Sequence, residues 1–152
     1  MLRQRLNDAY KDAMKARDAR SVSTMRLVLA ALKDRDIAAR PAGNAGGIGE
    51  SDIVDMLQKM VKQRHESIAL YKQGNRPELV QQEQEEIAVI ERFLPQQLSE
   101  AEAATAIDGV LAETKAASLK DMGKVMAALK ERYAGRLDFA KAGALVKQRL
   151  SQ

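Results

Sequence analysis

The sequence predicts an all-α protein, in which an irregular N-terminal helical array is followed by a small C-terminal three-helix bundle. Apolar residues recur at spacings of three and four along the chain, and this helical periodicity is the only one with support. The three prolines, Pro41, Pro77 and Pro95, fall outside the predicted helix interiors. With 152 residues, 45% of them hydrophobic, the chain can form one ordinary domain or two small ones.

Two helices open the chain. The first is predicted to run from Leu2 to about Arg17, on an apolar repeat that comprises Leu2, Leu6, Tyr10 and Ala13. The second is predicted to begin at Ser21, because a serine hydroxyl is a favourable N-cap. Its expected buried stripe comprises Val22, Met25, Leu29 and Leu32.

A glycine-rich loop and two further helices follow. Residues 40–49 contain four glycines and a proline, which cannot hold a helix, so we expect a simple connector there. The third helix is predicted to start at Ser51-Asp52 and to stop at Gly74. Pro77 is predicted to lie in the first turn of the fourth helix, where its missing N–H is not needed.

The fourth helix carries an acidic run from Glu83 to Glu86, which we expect on its exposed face. Lys62, Arg64 and Arg76 are the cations expected to pair with this run. The resulting prediction is a set of structural ion pairs between the third and fourth helices.

Pro95 marks the clearest boundary and divides the chain into residues 1–94 and 95–152. After it, Ser99 and Glu102 have the spacing of a capping box, so a new helical unit is predicted to begin there. Its three helices are expected at about residues 99–115, 119–133 and 138–150. Their core is expected to comprise Ile107, Val110, Leu111, Met122, Val125, Met126, Leu129, Phe139, Leu145, Val146 and Leu150.

Few side chains suited to catalysis are present. The chain has no cysteine, which excludes thiol nucleophiles, disulfides and thiolate metal sites, and His65 is its single histidine. Carboxylates at helical spacing, such as Glu83 and Glu86, lie among lysines and arginines and are expected to be surface residues. We therefore predict no catalytic residue, no cofactor and no metal site. No apolar run approaches the length of a membrane span, and the N-terminus lacks a secretory apolar region, so a cytoplasmic protein is predicted.

Positive charge is concentrated near the C-terminus. Residues 115–152 hold nine basic and three acidic side chains, a local charge of +6, whereas residues 1–94 hold sixteen basic and fourteen acidic ones. A local excess of this kind on structured elements is typical of a protein that binds a phosphate backbone. An uneven but merely solubilising surface explains the same charges equally well.

Several motifs occur in a fixed order along nearly the whole chain. They comprise Ala13-Met-Lys-Ala-Arg-Asp18, Met25-Arg26, Lys62-Gln-Arg64, Tyr71, Gly74-x-Arg76, Phe93-Leu-Pro-Gln-Gln-Leu98, Met122-Gly-Lys-Val-Met126 and Gly135-Arg136. In these motifs the chain resembles the stand-alone YqeY proteins of the GatB/YqeY family. It departs from the family pattern after Arg136, where Leu-Asp-Phe-Ala140 replaces a small polar run.

The resemblance implies an all-helical module like the tail of the B subunit of the glutamine-dependent tRNA amidotransferase, with tRNA as a partner. It also implies a family label of carbon-nitrogen ligase activity with glutamine as the amide donor. The amidotransferase chemistry belongs to a separate domain that a chain of 152 residues is too short to contain.

The expected function is therefore that of a non-catalytic tRNA-binding accessory module. Lys120, Lys124 and Arg136 flank Gly123 and Gly135, where glycine permits a close approach of phosphate, and the second bundle helix offers its N-terminus. The full predicted RNA-binding set comprises Lys120, Gly123, Lys124, Lys130, Arg132, Gly135, Arg136, Lys141 and Lys147. Two alternatives stay open, a protein-interaction module for an amidotransferase or an aminoacyl-tRNA synthetase, and a stand-alone enzyme.

Overall fold

A computed structural model describes residues 1–151 and confirms the all-α class. Its described residues form seven α-helices and no strand. In chain order the helices are α1 (Leu2–Ala16), α2 (Ala19–Ala39), α3 (Glu50–Gln73), α4 (Pro77–Glu91), α5 (Glu100–Glu113), α6 (Met122–Arg132) and α7 (Phe139–Leu150). Two compact units result, an N-terminal unit of residues 1–94 and a C-terminal unit from Pro95 onward.

The start of α2 differs from the prediction. Asp18, three residues before Ser21, is the N-cap, and its carboxylate accepts hydrogen bonds from the Ser21 amide at 3.2 Å and the Ser21 hydroxyl at 2.7 Å. Ser21 itself is buried inside the first turn. The prediction was wrong because Asp18 directly follows Arg17, the left-handed residue that ends α1 with a φ of 56°. The Asp18 carboxylate can accept both hydrogen bonds from Ser21, so the next helix begins there.

The core of the N-terminal unit is aliphatic and methionine-rich, and α1, α2, α3 and α4 all contribute to it. Its fully buried large side chains are Leu6, Met25, Val28, Ile53, Met56, Leu57 and Ile90. Val28 was absent from the predicted stripe of α2, whereas Met25 and Leu32 are buried as expected. The helix α2 therefore contacts the core over a broader face than its simplest repeat indicates.

The prediction that Glu86 lies on the exposed face of α4 is wrong, because Glu86 is buried against α3. The Arg64 Nε donates to the Glu86 carboxylate at 3.0 Å, and the side chains of Arg64 and Glu86 are only 12% and 7% exposed. Gln82 also donates to this carboxylate, at 3.3 Å. Burial, followed by the negative charge of Glu86, raises the pKa of the neighbouring Glu83 carboxyl. The predicted pairing of Arg64 with the acidic run is confirmed.

Arg76 pairs elsewhere. Its Nε lies 2.8 Å from Glu78, two residues along the chain, and both side chains are exposed. The prediction that Arg76 pairs with the run from Glu83 to Glu86 is wrong, because a nearer carboxylate stands in the first turn of the same helix.

The glycine-rich loop is fastened at its end rather than free. Arg3 of α1 forms two hydrogen bonds to Asp36 of α2, at 2.7 and 3.0 Å, and a third to the Ile48 carbonyl at 3.1 Å. The Ile48 amide donates to the same Asp36 carboxylate at 2.9 Å. The Arg3 guanidinium is the first cause that holds the pKa of Asp36 below its ordinary value. The ion pair between α1 and α2 thus anchors the chain just before α3.

Gly47 is the loop residue that this anchor requires. Its φ is +95°, and a Cβ there would lie 2.6 Å from Asp36 Oδ1 and 2.7 Å from Arg3 Nη2. We expect Gly47→Ala to lower the free energy of unfolding by about 1–3 kcal/mol, through backbone strain and displacement of the ion pair. The measurement is the urea midpoint of the N-terminal unit.

Gly46→Ala is the matched control for this prediction. A Cβ at Gly46 would meet no atom within 4 Å, and its φ is not positive. We expect its effect to stay within about 0.5 kcal/mol. Equal midpoints for the two variants would contradict an anchoring role for Gly47.

The C-terminal unit has its own core, built by helices that lie close to the predicted ranges. The α5 capping box is present in full, because the Glu102 amide donates to the Ser99 hydroxyl oxygen and the Ser99 amide to the Glu102 carboxylate, both at 3.1 Å. Asp138 caps α7, and each of α5, α6 and α7 contacts the other two. The buried side chains are Ile107, Val110, Val125, Leu129, Leu137, Ala142, Val146 and Leu150. Of these, Leu137 and Ala142 were not predicted.

Candidate nucleic-acid interface

Charge in the C-terminal unit is separated by helix. Residues 95–152 hold nine basic and seven acidic side chains, so the unit carries only +2 once the residues before 115 are included. Four of these acids lie on α5, which has no basic residue, and α7 has three basic residues and no acid. The charge of +6 on residues 115–152 is therefore largely offset by the acids of α5. The basic residues themselves lie on other elements of the unit.

The arginines of this unit are engaged within it. Arg132 of α6 forms an ion pair with Glu113 of α5, which lowers the pKa of the Glu113 carboxyl by hydrogen bonding. Arg149 of α7 lies 3.6 Å from Asp108 of α5. Both pairs are exposed and contribute little stability. They do, however, place each guanidinium beside a carboxylate, whose negative charge opposes that of an approaching phosphate.

The turn at Gly135 and Arg136 faces inward. Gly135 is buried with a φ of 76°, and its carbonyl accepts a hydrogen bond from the Gln97 side chain. The Arg136 Nε donates to the Gln96 carbonyl at 2.9 Å, and the Arg136 carbonyl accepts from the Leu98 amide at 3.0 Å. Leu137 then enters the core.

This turn thus binds the segment that precedes α5, and it corrects the prediction for two residues. Phosphate cannot approach the Gly135 backbone, because that residue is buried. Arg136 is half-buried and its guanidinium already has a backbone acceptor. The departure from the family pattern at Leu137 marks the point where the chain turns into the core.

Four predicted lysines remain available. All four are exposed, and none of their ammonium groups forms a hydrogen bond or ion pair with another residue between 1 and 151. These free lysines comprise Lys120 before α6, Lys130 in α6, and Lys141 and Lys147 in α7. Lys115, outside the predicted set, is also exposed and lies in the turn after α5 with a φ of 54°.

Lys124 has a structural contact as well as an exposed charge. Its ammonium donates to the carbonyl of Thr114 at 3.2 Å, and Thr114 is the C-cap residue of α5. Carbonyls at helix ends lack partners within the helix, so the bond satisfies one of them. An ammonium has three donors, so this bond leaves Lys124 able to contact a further acceptor.

The start of α6 is less favourable for an anion than predicted. Asp121 directly precedes this helix, and its carboxylate accepts hydrogen bonds from the amides of Ala117 at 2.8 Å and Ser118 at 3.3 Å. These bonds lower the pKa of Asp121. A fixed negative charge therefore opposes the phosphate contact expected at this helix N-terminus.

Gly123 lies open on the surface of α6. It is exposed, and a Cβ there would meet no atom within 4 Å, so no packing contact requires glycine at this position. Lys124 follows it and Lys120 precedes it by three residues. The backbone is thus accessible between two cations.

Gly123→Ala should stabilise the C-terminal unit by about 0.5 kcal/mol, because alanine loses less backbone entropy in a helix than glycine does. Gly109→Ala in α5 is the matched control, since that glycine is also exposed and has no atom within 4 Å of the added Cβ. Urea denaturation should show a similar gain for both variants. A loss of stability at Gly123 alone would reveal a contact that requires glycine.

Two further kinds of feature are absent from the described residues. Within residues 1–151, no group of three or more His, Cys, Asp or Glu side chains is placed to hold a metal ion. In the same part of the chain, no helix combines the length and the apolar character needed to cross a membrane.

The chain is similar to yeast proteins with one shared name, "Altered inheritance of mitochondria protein 41, mitochondrial". The relative from Lachancea thermotolerans is 32% identical over 112 residues, which cover 72% of this chain and 58% of the relative. That from Saccharomyces cerevisiae strain YJM789 is 31% identical over 91 residues, 60% of this chain and 47% of the relative. The relative from Kluyveromyces lactis is 31% identical over 88 residues, which cover 58% of this chain and 45% of the relative. The chain spans about half the length of these curated relatives.

These names contradict the cytoplasmic localisation predicted from the sequence. The relatives are named as mitochondrial proteins. The prediction was wrong because it used the lack of a membrane-spanning run and of a secretory apolar region, and neither feature distinguishes cytoplasm from mitochondria.

The family comparison covers almost the whole chain. A family model described as "Yqey-like protein" matches residues 3–150, which include helices α2 to α7 and all of α1 except Leu2. The match agrees with the resemblance seen in the ordered motifs from Ala13 to Arg136. The chain belongs to the YqeY-like family.

Proposed function

We propose that this protein is a non-catalytic module that binds tRNA or a similarly structured RNA through its C-terminal unit. The observation that carries the proposal is the set of free lysines, Lys120, Lys130, Lys141 and Lys147, in a unit whose arginines all have internal partners. Lys124 adds a fifth exposed ammonium. The resemblance to the tail module of the tRNA amidotransferase supports tRNA as the ligand.

The chemistry of the surface favours RNA recognition by shape. Lysine is a flexible point charge that contacts phosphate without needing a planar, bidentate geometry. Structured RNA is recognised largely through its shape, phosphates and 2′-hydroxyls. The chain has only five aromatic residues, three Tyr and two Phe, so stacking on unpaired bases is a minor mode here. The opposite charge of α5 orients the unit, because its acids are repelled by the RNA backbone.

The test is tRNA binding by fluorescence anisotropy, with the salt concentration varied. Contacts from four or five lysines should give a slope of about 3–4 in log Kd against log salt. The variant with Lys120, Lys130, Lys141 and Lys147 all changed to Ala should bind at least about tenfold more weakly, with a slope lower by about 1 per lost contact.

A charge-matched variant of the N-terminal unit serves as the control. Lys11, Lys15, Lys59 and Lys72 are exposed, and their ammonium groups have no hydrogen bond or ion pair within residues 1–151. Changing these four to Ala removes the same charge from the other unit, and we expect the salt slope to stay unchanged. Absence of binding at about 50 mM salt, or equal losses in the two variants, would overturn the proposal. Release of ammonia from glutamine by the purified chain would overturn its non-catalytic part.

A further inference from the structure

A cleft lies within the N-terminal unit, at the corner where α3 ends and α4 begins. Its volume is about 580 Å³, which is in the usual range for a small-ligand site. The lining comprises Tyr71, Lys72, Asn75, Arg76, Pro77, Val80, Gln81 and Gln84. Six of these eight side chains are polar or charged, and none is acidic. A lining of this kind suits a polar ligand that carries negative charge.

The backbone of the corner fixes where these side chains stand. The Arg76 amide donates to the Tyr71 carbonyl at 2.9 Å, and the Asn75 amide donates to the Lys72 carbonyl at 3.3 Å. These two bonds are those of a Schellman helix end. Asn75 is its left-handed residue, with a φ of 55°, a conformation that asparagine adopts more readily than most residues. The Asn75 carboxamide forms no hydrogen bond within residues 1–151, so it is available to a ligand.

Other hydrogen-bonding groups of the cleft are also uncommitted. Arg76 donates from its Nε to Glu78, at 2.8 Å, and its two Nη groups remain for a further acceptor. The Lys72 ammonium, the Tyr71 hydroxyl and the Gln84 carboxamide form no hydrogen bond within the described part of the chain. A carboxamide both donates and accepts, and it can therefore bond to either side of a peptide group.

The charge around the cleft favours a carboxylate over phosphate or RNA. Lys72 and Arg76 contribute two positive charges and the neighbouring Glu78 one negative charge, so the net charge is +1. One carboxylate matches this charge, whereas a phosphate group carries about −1.5 to −2 near pH 7. The helix α4 has five acidic residues and no basic one, and these acids oppose a polyanion such as RNA.

We infer that this cleft binds the C-terminal end of a partner polypeptide through its free carboxylate. A guanidinium can form two parallel bonds with a carboxylate, and the Nη groups of Arg76 are free for this contact. The carboxamides of Asn75 and Gln84 bond to the last peptide groups. The half-buried Tyr71 and Val80 supply apolar contact for an aliphatic last side chain. This site is separate from the free lysines and does not depend on RNA binding.

The test is an NMR titration of the full chain with a short peptide. The probes are acetyl-Gly-Ala-Leu with a free carboxylate and the same peptide with an amidated C-terminus. The free acid should shift the side-chain amide signals of Asn75 and Gln84. The amidated peptide should bind at least about tenfold more weakly, because it loses the charge-assisted bonds. Inorganic phosphate should also bind more weakly than the free acid.

Two variants locate the site. Arg76→Gln should weaken binding of the free acid at least about tenfold, and Asn75→Gly about two- to tenfold, through the loss of one hydrogen bond. Glycine is the usual residue at this left-handed position, so Asn75→Gly keeps the corner folded. Arg17→Gly is the matched control, because Arg17 is also left-handed, with a φ of 56°, and lies outside the cleft. It should leave the affinity unchanged, and circular dichroism checks that each variant is folded.

Several results would overturn the inference. The free acid would fail to bind at about 10 mM, or it would bind no more tightly than the amidated peptide or phosphate. Unchanged affinity in both Arg76→Gln and Asn75→Gly, or shifts confined to residues outside the cleft, would do the same.

Discussion

Arg64→Met should lower the free energy of unfolding of the N-terminal unit by about 3–5 kcal/mol, because it leaves the Glu86 carboxylate buried without its cation. The side chains of Arg64 and Glu86 are 12% and 7% exposed, so water has little access to solvate the unpaired carboxylate. Arg64 and Gln82 are the two side chains that donate to this carboxylate, so the variant would keep only the hydrogen bond from Gln82, at 3.3 Å. Urea denaturation followed by circular dichroism measures the loss.

The double variant R64M/E86L separates the ion pair from simple packing. Replacing both members of a buried ion pair by apolar residues of similar size is often neutral or stabilising, so the double variant should recover most of the lost stability. A loss below about 1 kcal/mol for Arg64→Met would contradict a buried charge pair.

The buried pair shows which parts of the fold local sequence can and cannot predict. Pro77 and Ser99 mark helix starts through their own backbone and side-chain chemistry, and both predictions match the structure. The burial of Glu86 depends on how α4 packs against α3, and the run Glu83-Gln-Glu-Glu86 read by itself is typical of a solvated face. The N-cap of α2 is Asp18 and not Ser21 for a similar reason. Both residue types are good caps, and only the three-dimensional fold selects one of them.

The candidate interface stays a prediction, and the structure shows which of its cations have partners. The cations near the C-terminus were evident from composition, but their partners Glu113 and Asp108 lie on α5, at least nineteen positions earlier in the chain. Composition therefore could not separate the paired arginines from the free lysines. For Gly135, local sequence indicated the turn but not its direction, because burial of Leu137 depends on the core formed by all three helices. Among the residues of the predicted RNA-binding set, the structure leaves the five lysines and Gly123 exposed and not paired with a carboxylate.

Leu129→Ala should unfold the C-terminal unit selectively and remove the proposed RNA binding with it. Leu129 is 0% exposed in a core of eight buried residues, and truncation of such a leucine costs about 2–5 kcal/mol. A unit of fewer than 60 residues has a small core and little stability to lose. The expected result is a loss of the C-terminal transition in urea and of tRNA binding, while the N-terminal transition stays in place.

Leu57→Ala provides the matched comparison, because Leu57 is also 0% exposed but belongs to the core of the N-terminal unit. It should lower the free energy of unfolding of the N-terminal unit by a similar amount, about 2–5 kcal/mol. The affinity for tRNA at low urea should stay unchanged. If both variants instead shifted one coincident transition, the two cores would form a single cooperative unit. If Leu57→Ala abolished RNA binding in a folded protein, the binding surface would have to include the N-terminal unit, and the free lysines alone would not account for it.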